Sequence, residues 1–293
     1  MASPTREGVL YGLAAYGWWG LVPIYFRWLG EISPLDILAH RIFWSAVFLA
    51  MILTVTGRWN ETLRSLKTRD ILRPLIISAI LVAFNWLMYI LAVHLQKIVQ
   101  ASLGYFILPL VNIALGMVIF GERMRALQYL AVVVAGIGVV ALAFAGGEVP
   151  WIAFALALSF SLYGMIRKKV PVDGLTGLAV ETIVLLPLAV GGLIALTIER
   201  GNLEDTQHLA KLSLSGVVTA IPLLCFGQAA RRLPFSLLGF MQFISPSLQF
   251  VLAITLFGEQ IRGGWWPYVM VWAALVIFSI DSFRFYRQQK VNA

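Results

Sequence analysis

Apolar residues fall in long blocks along this chain, and the charges sit almost wholly in the gaps between them. A bilayer core about 30 Å thick takes roughly 20 mainly apolar residues per helix. With Pro, Gly and charge as punctuation, that window predicts ten spans, over roughly 8–28, 34–56, 74–95, 99–120, 125–146, 150–168, 175–198, 212–231, 235–257 and 264–283. Several linkers are so short that neighbouring helices must run antiparallel. The blocks are too long, and too poor in alternation, for the strands of a membrane barrel. The expected fold class is an all-α membrane protein.

Two of the blocks are spelled alike. "LGYFILPLVNIALGMVIFGER" occupies 103–123 and "LGFMQFISPSLQFVLAITLFGEQ" occupies 238–260. Setting Pro109 on Pro246 brings Leu115 onto Leu252, Phe120 onto Phe257, Gly121 onto Gly258 and Glu122 onto Glu259, five identities in fourteen positions, with Asn112 opposite Gln249. Elsewhere "WWG" at 18–20 faces "LYG" at 162–164, and "PLDILAHR" at 34–41 faces "LTGLAVET" at 175–182. The chain thus divides into halves at 8–146 and 150–283, with 284–293 as a cytoplasmic tail. Five spans is an odd number, so the two copies cross the membrane in opposite directions, an inverted repeat of the kind common in secondary transporters. Each Phe-Gly-Glu reads as a helix end, with Gly in the left-handed cap and Glu at the start of the next helix, where its charge suits the dipole.

Composition supports the membrane reading. Hydrophobic residues make up 60% of the 293 and charged residues 12%, with a mean hydropathy of +0.86; soluble domains hold about 45–50% and about 25%. The net charge of +8 and pI near 9.8 follow from the distribution of Lys and Arg. With the N-terminus inside, sixteen basic residues fall in inside segments, five in outside segments, and Arg41 within a span. The positive-inside rule then puts both termini in the cytoplasm, and the basic charge reports orientation rather than nucleic-acid binding. A single cysteine, Cys225, excludes an intrachain disulfide and a Cys-rich metal site. No cleavable signal peptide is evident. No G-x-x-x-x-G-K-[ST] stretch is present, which disfavours ATP-driven transport. No cofactor or metal is expected; the partners expected are a lipid bilayer and a small-molecule substrate, in a monomer or homodimer.

Ionisable groups inside spans cost about 2.5–3.5 kcal/mol at a helix centre, so each needs a role. His40 and Arg41 lie in the second span and Glu181 in the seventh, with His40 and Glu181 at equivalent positions of the repeat. At 1.5 Å per residue each lies roughly 10 Å below its own face, too far apart in depth for a direct Arg41–Glu181 bridge without tilt or unwinding. Glu181, with His40, could bind a proton or a cationic group, and Arg41 could neutralise a carboxylate; alternatively Arg41 snorkels outward and Glu181 caps polar groups of a neighbouring helix. A second set is aromatic and amide-rich: Asn85, Trp86 and Tyr89 in the third span, Tyr105 in the fourth, Tyr163 in the sixth, Gln228 in the eighth and Gln242 in the ninth. An apolar cavity with a few amides and hydroxyls suits a small amphipathic solute; the same groups could instead bond helix to helix. Pro23, Pro109, Pro222 and Pro246 are expected to interrupt spans one, four, eight and nine, giving broken helices that line or gate a cavity. Ala131, Ala135 and Gly138 make the fifth span a scaffold or oligomer contact. His94 and His208 read as solvated residues, and "DTQH" at 205–208 has no companion ligand at metal spacing.

"HRIFWS", "FNWLMYILAV", "ASLGYFILPLVNIALGMVIFGER", "SFSLYGMIRKKV", "ETIVLLP", "IPLLCF" and "LLGFMQFISPSLQF" together resemble the RarD family, a branch of the EamA transporters in the drug/metabolite transporter superfamily, from about residue 8 to 283. The resemblance implies a ten-helix carrier of the bacterial inner membrane, with two inverted five-helix halves around a central cavity, working as an exporter. The branch bears the label chloramphenicol-sensitivity permease, which names no natural substrate. The function expected is secondary transport of a small metabolite, amino acid or amphipathic drug by alternating access, and not enzymatic. The alternatives are an intramembrane enzyme acting on lipid, which would need paired groups at one depth, and a non-transporting scaffold or receptor.

Overall fold

The computed structural model describes residues 5–30, 32–95, 98–144, 150–200, 206–256 and 265–291. The second Phe-Gly-Glu at 257–259, Arg262 and the His94 side chain lie outside the described residues. Within them the chain is helical, without strands: α1 (Arg6–Leu29), α2 (Pro34–Thr56), α3 (Trp59–Lys67), α4 (Arg69–His94), α5 (Ile98–Phe120), α6 (Ala126–Phe144), α7 (Trp151–Lys169), α8 (Gly174–Arg200), α9 (Thr206–Arg232), α10 (Phe235–Gln242), α11 (Ile244–Thr255) and α12 (Trp266–Val291). Eight stretches are long and apolar enough to cross a membrane, in α1, α2, α4, α5, α6, α8, α9 and the α10–α11 pair; α12 adds a shorter apolar run, Trp266–Asp281.

Local chemistry sets the ends. Thr5 caps α1, its hydroxyl accepting from the Gly8 N–H at 3.1 Å. Pro34 opens α2 where no N–H is needed. Gly57 and Gly121 stop α2 and α5 with φ of 66° and 62°, a conformation cheap only without a Cβ. Glu122 departs from the expected pattern. Its carboxylate does not serve α6, the next helix, but accepts from the N–H groups of Phe235 and Ser236 at 2.6 and 2.8 Å, capping α10 from the other half of the chain.

Three further features differ from the sequence reading. The segment after α2 is not a plain basic loop, because its "WNETLRSLK" forms the short helix α3. Pro23, Pro109 and Pro222 lie inside unbroken α1, α5 and α9; each removes one hydrogen bond, which packing against neighbours tolerates. Only the span with Pro246 is divided, between Gln242 and Ile244. There Pro246 is the third residue of α11, so its missing N–H is one of the donors a helix start leaves unused anyway. Finally, α12 runs on through 284–291, where a tail was expected.

We call the end of the bundle where α1 begins basal, and the end where α1 leads into α2 distal. α1 packs on α9, α10 and α11; α2 lies against α8 and α9; α5 sits between α7 and α10; α4 covers α7 and α8. The small residues Ala131, Ala135 and Gly138 of α6 are taken up by α12, where the Pro267 carbonyl would lie 2.7 Å from a Cβ at position 138. That face is an intrachain contact. α2 crosses closely over α9, where a Cβ on Gly216 would lie 2.3 Å from the Trp44 carbonyl carbon. At the middle of the bundle Tyr16, Trp19, Phe160, Tyr163 and Phe226 form an aromatic plug, with centroid separations from 5.3 to 6.4 Å.

The basal end is tied by charge. Arg58 bridges Glu61 and Asp173, and Asp173 also accepts from the backbone of Leu175 and Thr176, capping α8. Burial alone would raise the Asp173 carboxyl; hydrogen bonds from Arg58 and Thr176, and the Arg58 charge, outweigh it and hold the pKa at about 2 rather than 3.8. A depressed folded pKa stabilises the fold above the unfolded value and ceases to do so as pH falls through the folded one. Asp173→Asn keeps a capping side chain but loses the charge, so its Tm deficit should be full above pH 4 and disappear as pH falls from 3.8 to about 2. Thermal unfolding of detergent-solubilised protein across that interval measures it. By the same assay Gly216→Ala should cost about 1–3 kcal/mol through overpacking, whereas Gly17→Ala, with nothing within 4 Å, should leave Tm unchanged or raise it.

Candidate functional site

A cavity of about 140 Å³ opens in the distal half of the bundle. Its floor is the upper face of the aromatic plug, Trp19 and Phe160, with Leu108 and Leu223. Its polar wall is Arg41 from α2, Asn85 from α4, Thr219 from α9, and Gln242, Ser245 and Gln249 from α10 and α11. Trp86, Tyr89 and Tyr105 close one side, and Phe26 and Pro246 lie at the rim. Asn85, Leu108, Phe160, Thr219 and Gln242 at the bottom are buried, while Phe26, Arg41, Tyr89, Tyr105 and Gln249 are partly exposed. The cavity therefore deepens from the distal end towards the middle.

Most of the polar wall is engaged between helices. Asn85 Nδ2 donates to the Leu156 carbonyl and to Ser159 Oγ, each at 2.9 Å. Gln242 Oε1 accepts from Asn112 Nδ2 at 2.7 Å, Ser245 Oγ donates to the Tyr16 carbonyl at 2.7 Å, and Gln249 Nε2 to the Trp19 carbonyl at 3.0 Å. These bonds hold α4 to α7, α5 to α10 and α11 to α1, and so set the shape of the chamber. Arg41 is held by one bond, Nε to Thr219 Oγ1 at 2.9 Å, and its guanidinium carbon lies 4.9 Å from the Trp86 ring centre and 5.8 Å from that of Phe26.

Below the plug, on the basal side, lies a separate charged cluster. Arg167 is 2% exposed and Glu181 1%. Arg167 Nη1 lies 3.7 Å from Glu181 Oε1, and Nη2 donates to the Gly174 carbonyl at 3.1 Å. Ser78 Oγ donates to Glu181 Oε1, and the Tyr163 hydroxyl to Oε2 at 3.4 Å. The guanidinium fits because Gly177 has no side chain: a Cβ there would lie 1.6 Å from Arg167 Nη1. Lys168 adds bonds to the carbonyls of Ala230 and Leu233, joining α7 to the end of α9.

Known proteins resemble this chain. The EamA-like transporter family matches residues 6–144. Protein RarD of Salmonella typhi is 44% identical over 99% of this chain and 99% of its own length. An uncharacterized transporter of Vibrio cholerae is 44% identical, covering 96% of this chain and 94% of its own. The chain belongs to the RarD branch of the EamA-like transporters. It is a multi-pass membrane protein of that family. A crystal structure only 18% identical shares the fold, with a TM-score of 0.72 over 96% of this chain and 99% of the other.

The residues singled out from sequence divide between the two regions of this RarD-family chain. Asn85, Trp86, Tyr89, Tyr105, Gln242 and Arg41 meet at the cavity, with Pro23 and Pro246. Tyr163 and Gln228 do not. The Tyr163 ring belongs to the plug with its hydroxyl turned to Glu181, and Gln228 accepts from Arg232 at the basal end. Pro109 and Pro222 are also away from the wall; the Pro109 carbonyl instead backs onto Gly239, at 2.8 Å from a Cβ placed there. His40 is buried on α2 beside the chamber, not in it. Glu181 pairs with Arg167, a residue that the count of topogenic charges placed in a cytoplasmic segment. Arg41 does not snorkel outward: Thr219, its partner, is buried in mid-α9. As site residues, sequence reasoning passed over Trp19, Phe160, Thr219 and Ser245, since one hydroxyl or aromatic in an apolar block carries no periodic signal, and it read Gln249 only as the repeat partner of Asn112.

Removing one member of a buried ion pair leaves the other uncompensated, at about 3–5 kcal/mol. Glu181→Gln and Arg167→Met should each lower thermal stability by an amount of that order, and the Arg167→Met/Glu181→Met double variant should recover most of it. Thermal unfolding of the three variants in detergent checks the coupling.

Proposed function

We propose that this RarD-family protein is a secondary carrier that exports a small amphipathic solute across the inner membrane by alternating access. The observation that carries the reading is the distal cavity itself, a polar-walled chamber at mid-bundle built by helices of both halves, α1, α2, α4 and α5 from one and α7, α9, α10 and α11 from the other. Taking α7 and α12 with the eight long apolar stretches makes ten crossings, five in each half. Pro109 and Pro246 then occupy matched positions of two inverted copies, of which Pro246 lines the cavity. Both termini lie in the cytoplasm on the positive-inside count, so the basal end is cytoplasmic and the chamber opens outward.

Two features favour a moving barrier over a static receptor. The basal closure is made of side-chain pairs, Arg167 with Glu181 and Lys168 with two carbonyls, which can part without unfolding a helix. The α10–α11 break beside Pro246 provides a hinge in the cavity wall. Inward opening would part the basal pairs while the distal rim closes.

Purified protein in proteoliposomes, preloaded in turn with each member of a tritiated panel of metabolites, amino acids and amphipathic drugs, tests the reading with and without a pH gradient. At least one solute should show counterflow tenfold or more above protein-free liposomes, recovered chemically unchanged. Absence of counterflow across the panel, or conversion of the solute to a product, would contradict it.

A further inference from the structure

Among the described residues the cavity lining holds one charged group, Arg41, and no carboxylate pairs with it. Arg41 makes a single hydrogen bond, through Nε to Thr219. Neither Nη group has a hydrogen bond or a carboxylate partner among the described residues, and the cavity wall contains no Asp or Glu. Arg167 makes the contrast: this chain faces that guanidinium with Glu181 at 3.7 Å, and Ser78 and Tyr163 donate to the same carboxylate. A cation at membrane depth otherwise finds an internal partner.

We infer that the transported solute carries a carboxylate, received by the free edge of the Arg41 guanidinium, on a small apolar or aromatic body. This rests on the carrier reading and names the substrate class of the same site. The geometry fits at three points. Trp86 and Phe26 flank the guanidinium and Thr219 takes Nε, so the terminal N–H groups are the ones presented to the chamber, as a fork matched to a carboxylate. Tyr89 and Tyr105 line the same cavity as Arg41 and bring hydroxyls with no protein hydrogen-bond partner among the described residues, available to donate to a bound carboxylate. The floor beneath, Trp19, Phe160, Leu108 and Leu223, is apolar and aromatic and takes the body. A cationic solute would meet the Arg41 charge with no acidic group among the described lining residues to offset it.

A charge series with one body tests this on the wild-type protein in lipid nanodiscs: phenylacetate, phenylacetamide and 2-phenylethylammonium, with binding followed by calorimetry. Phenylacetate should bind at least tenfold more tightly than the other two. Arg41→Gln should bring it level with phenylacetamide, and Arg41→Lys should retain at least a threefold preference. Equal binding of the three, preference for the amide or the ammonium, or no binding of phenylacetate overturns the inference, whichever way the variants fold, because the series is read on the wild type. Counterflow separates this from the broader reading. Movement of a cationic or neutral solute with none of phenylacetate sinks the carboxylate and leaves the carrier; Arg41-dependent phenylacetate binding without counterflow of any solute does the reverse.

Discussion

A guanidinium drawn into an apolar slab must find something to replace water, and this chain meets that demand in two opposite ways. Arg167 is compensated from within: Glu181 faces it, Gly177 makes room for it and the Gly174 carbonyl takes one of its N–H groups. Arg41 is held by Thr219 and flanked by Trp86 and Phe26, with its terminal nitrogens turned to a cavity. The first arrangement pairs the charge internally and closes the basal half, although Nε and Nη1 of Arg167 have no hydrogen-bond partner among the described residues. The second would be completed by the proposed solute's carboxylate. A charge at lipid depth with no acidic partner among the described residues is costly to keep, and the proposed solute is what would offset that cost.

The plug between the two sites keeps them distinct. Tyr16, Tyr163 and Phe226 are wholly buried, and their rings separate the chamber from the Arg167–Glu181 pair. Tyr163 belongs to both levels, its ring in the plug and its hydroxyl on Glu181. Its ring lies 5.3 Å from that of Phe160 at the chamber floor, so two side chains separate Glu181 from the chamber. Missing side chains provide the tight seams around this core. Gly216 lets α9 reach the Trp44 backbone, and Gly239 lets α10 reach the Pro109 carbonyl, so the chamber walls are set by backbone contact at defined depths.

Much of the fold was legible because lipid imposes a length rule on every crossing helix, and the blocks in this chain obey it. Helix ends were legible where glycine or proline marked them, as at Gly57, Gly121 and Pro34. The Pro23, Pro109 and Pro222 interruptions were misread because proline shows a missing donor but not whether neighbours make up for it. Half of the chamber was legible for a similar reason: Arg41, Asn85 and Gln242 stand out in apolar blocks by their cost alone. Arg167 did not, because it sits among Lys168 and Lys169 at a helix end, where basic residues ordinarily meet water. Only packing against Gly177 and Glu181 shows that it turns inward. Glu122 was assigned to the wrong helix because capping across the two halves is a tertiary fact with no local signature.

The central claim is that one chamber opens at the distal end while the basal end is shut. Thiol accessibility tests it most directly, in a background with Cys225 replaced by alanine. A membrane-impermeant maleimide should modify Gln249→Cys, at the chamber rim, only from the face opposite the one that modifies Glu7→Cys, at the start of α1. Ala179→Cys, buried on α8 at the depth of the Arg167–Glu181 pair, should stay protected from both faces in the solute-free protein. Modification of Gln249→Cys from the same face as Glu7→Cys, or rapid modification of Ala179→Cys, would contradict the account.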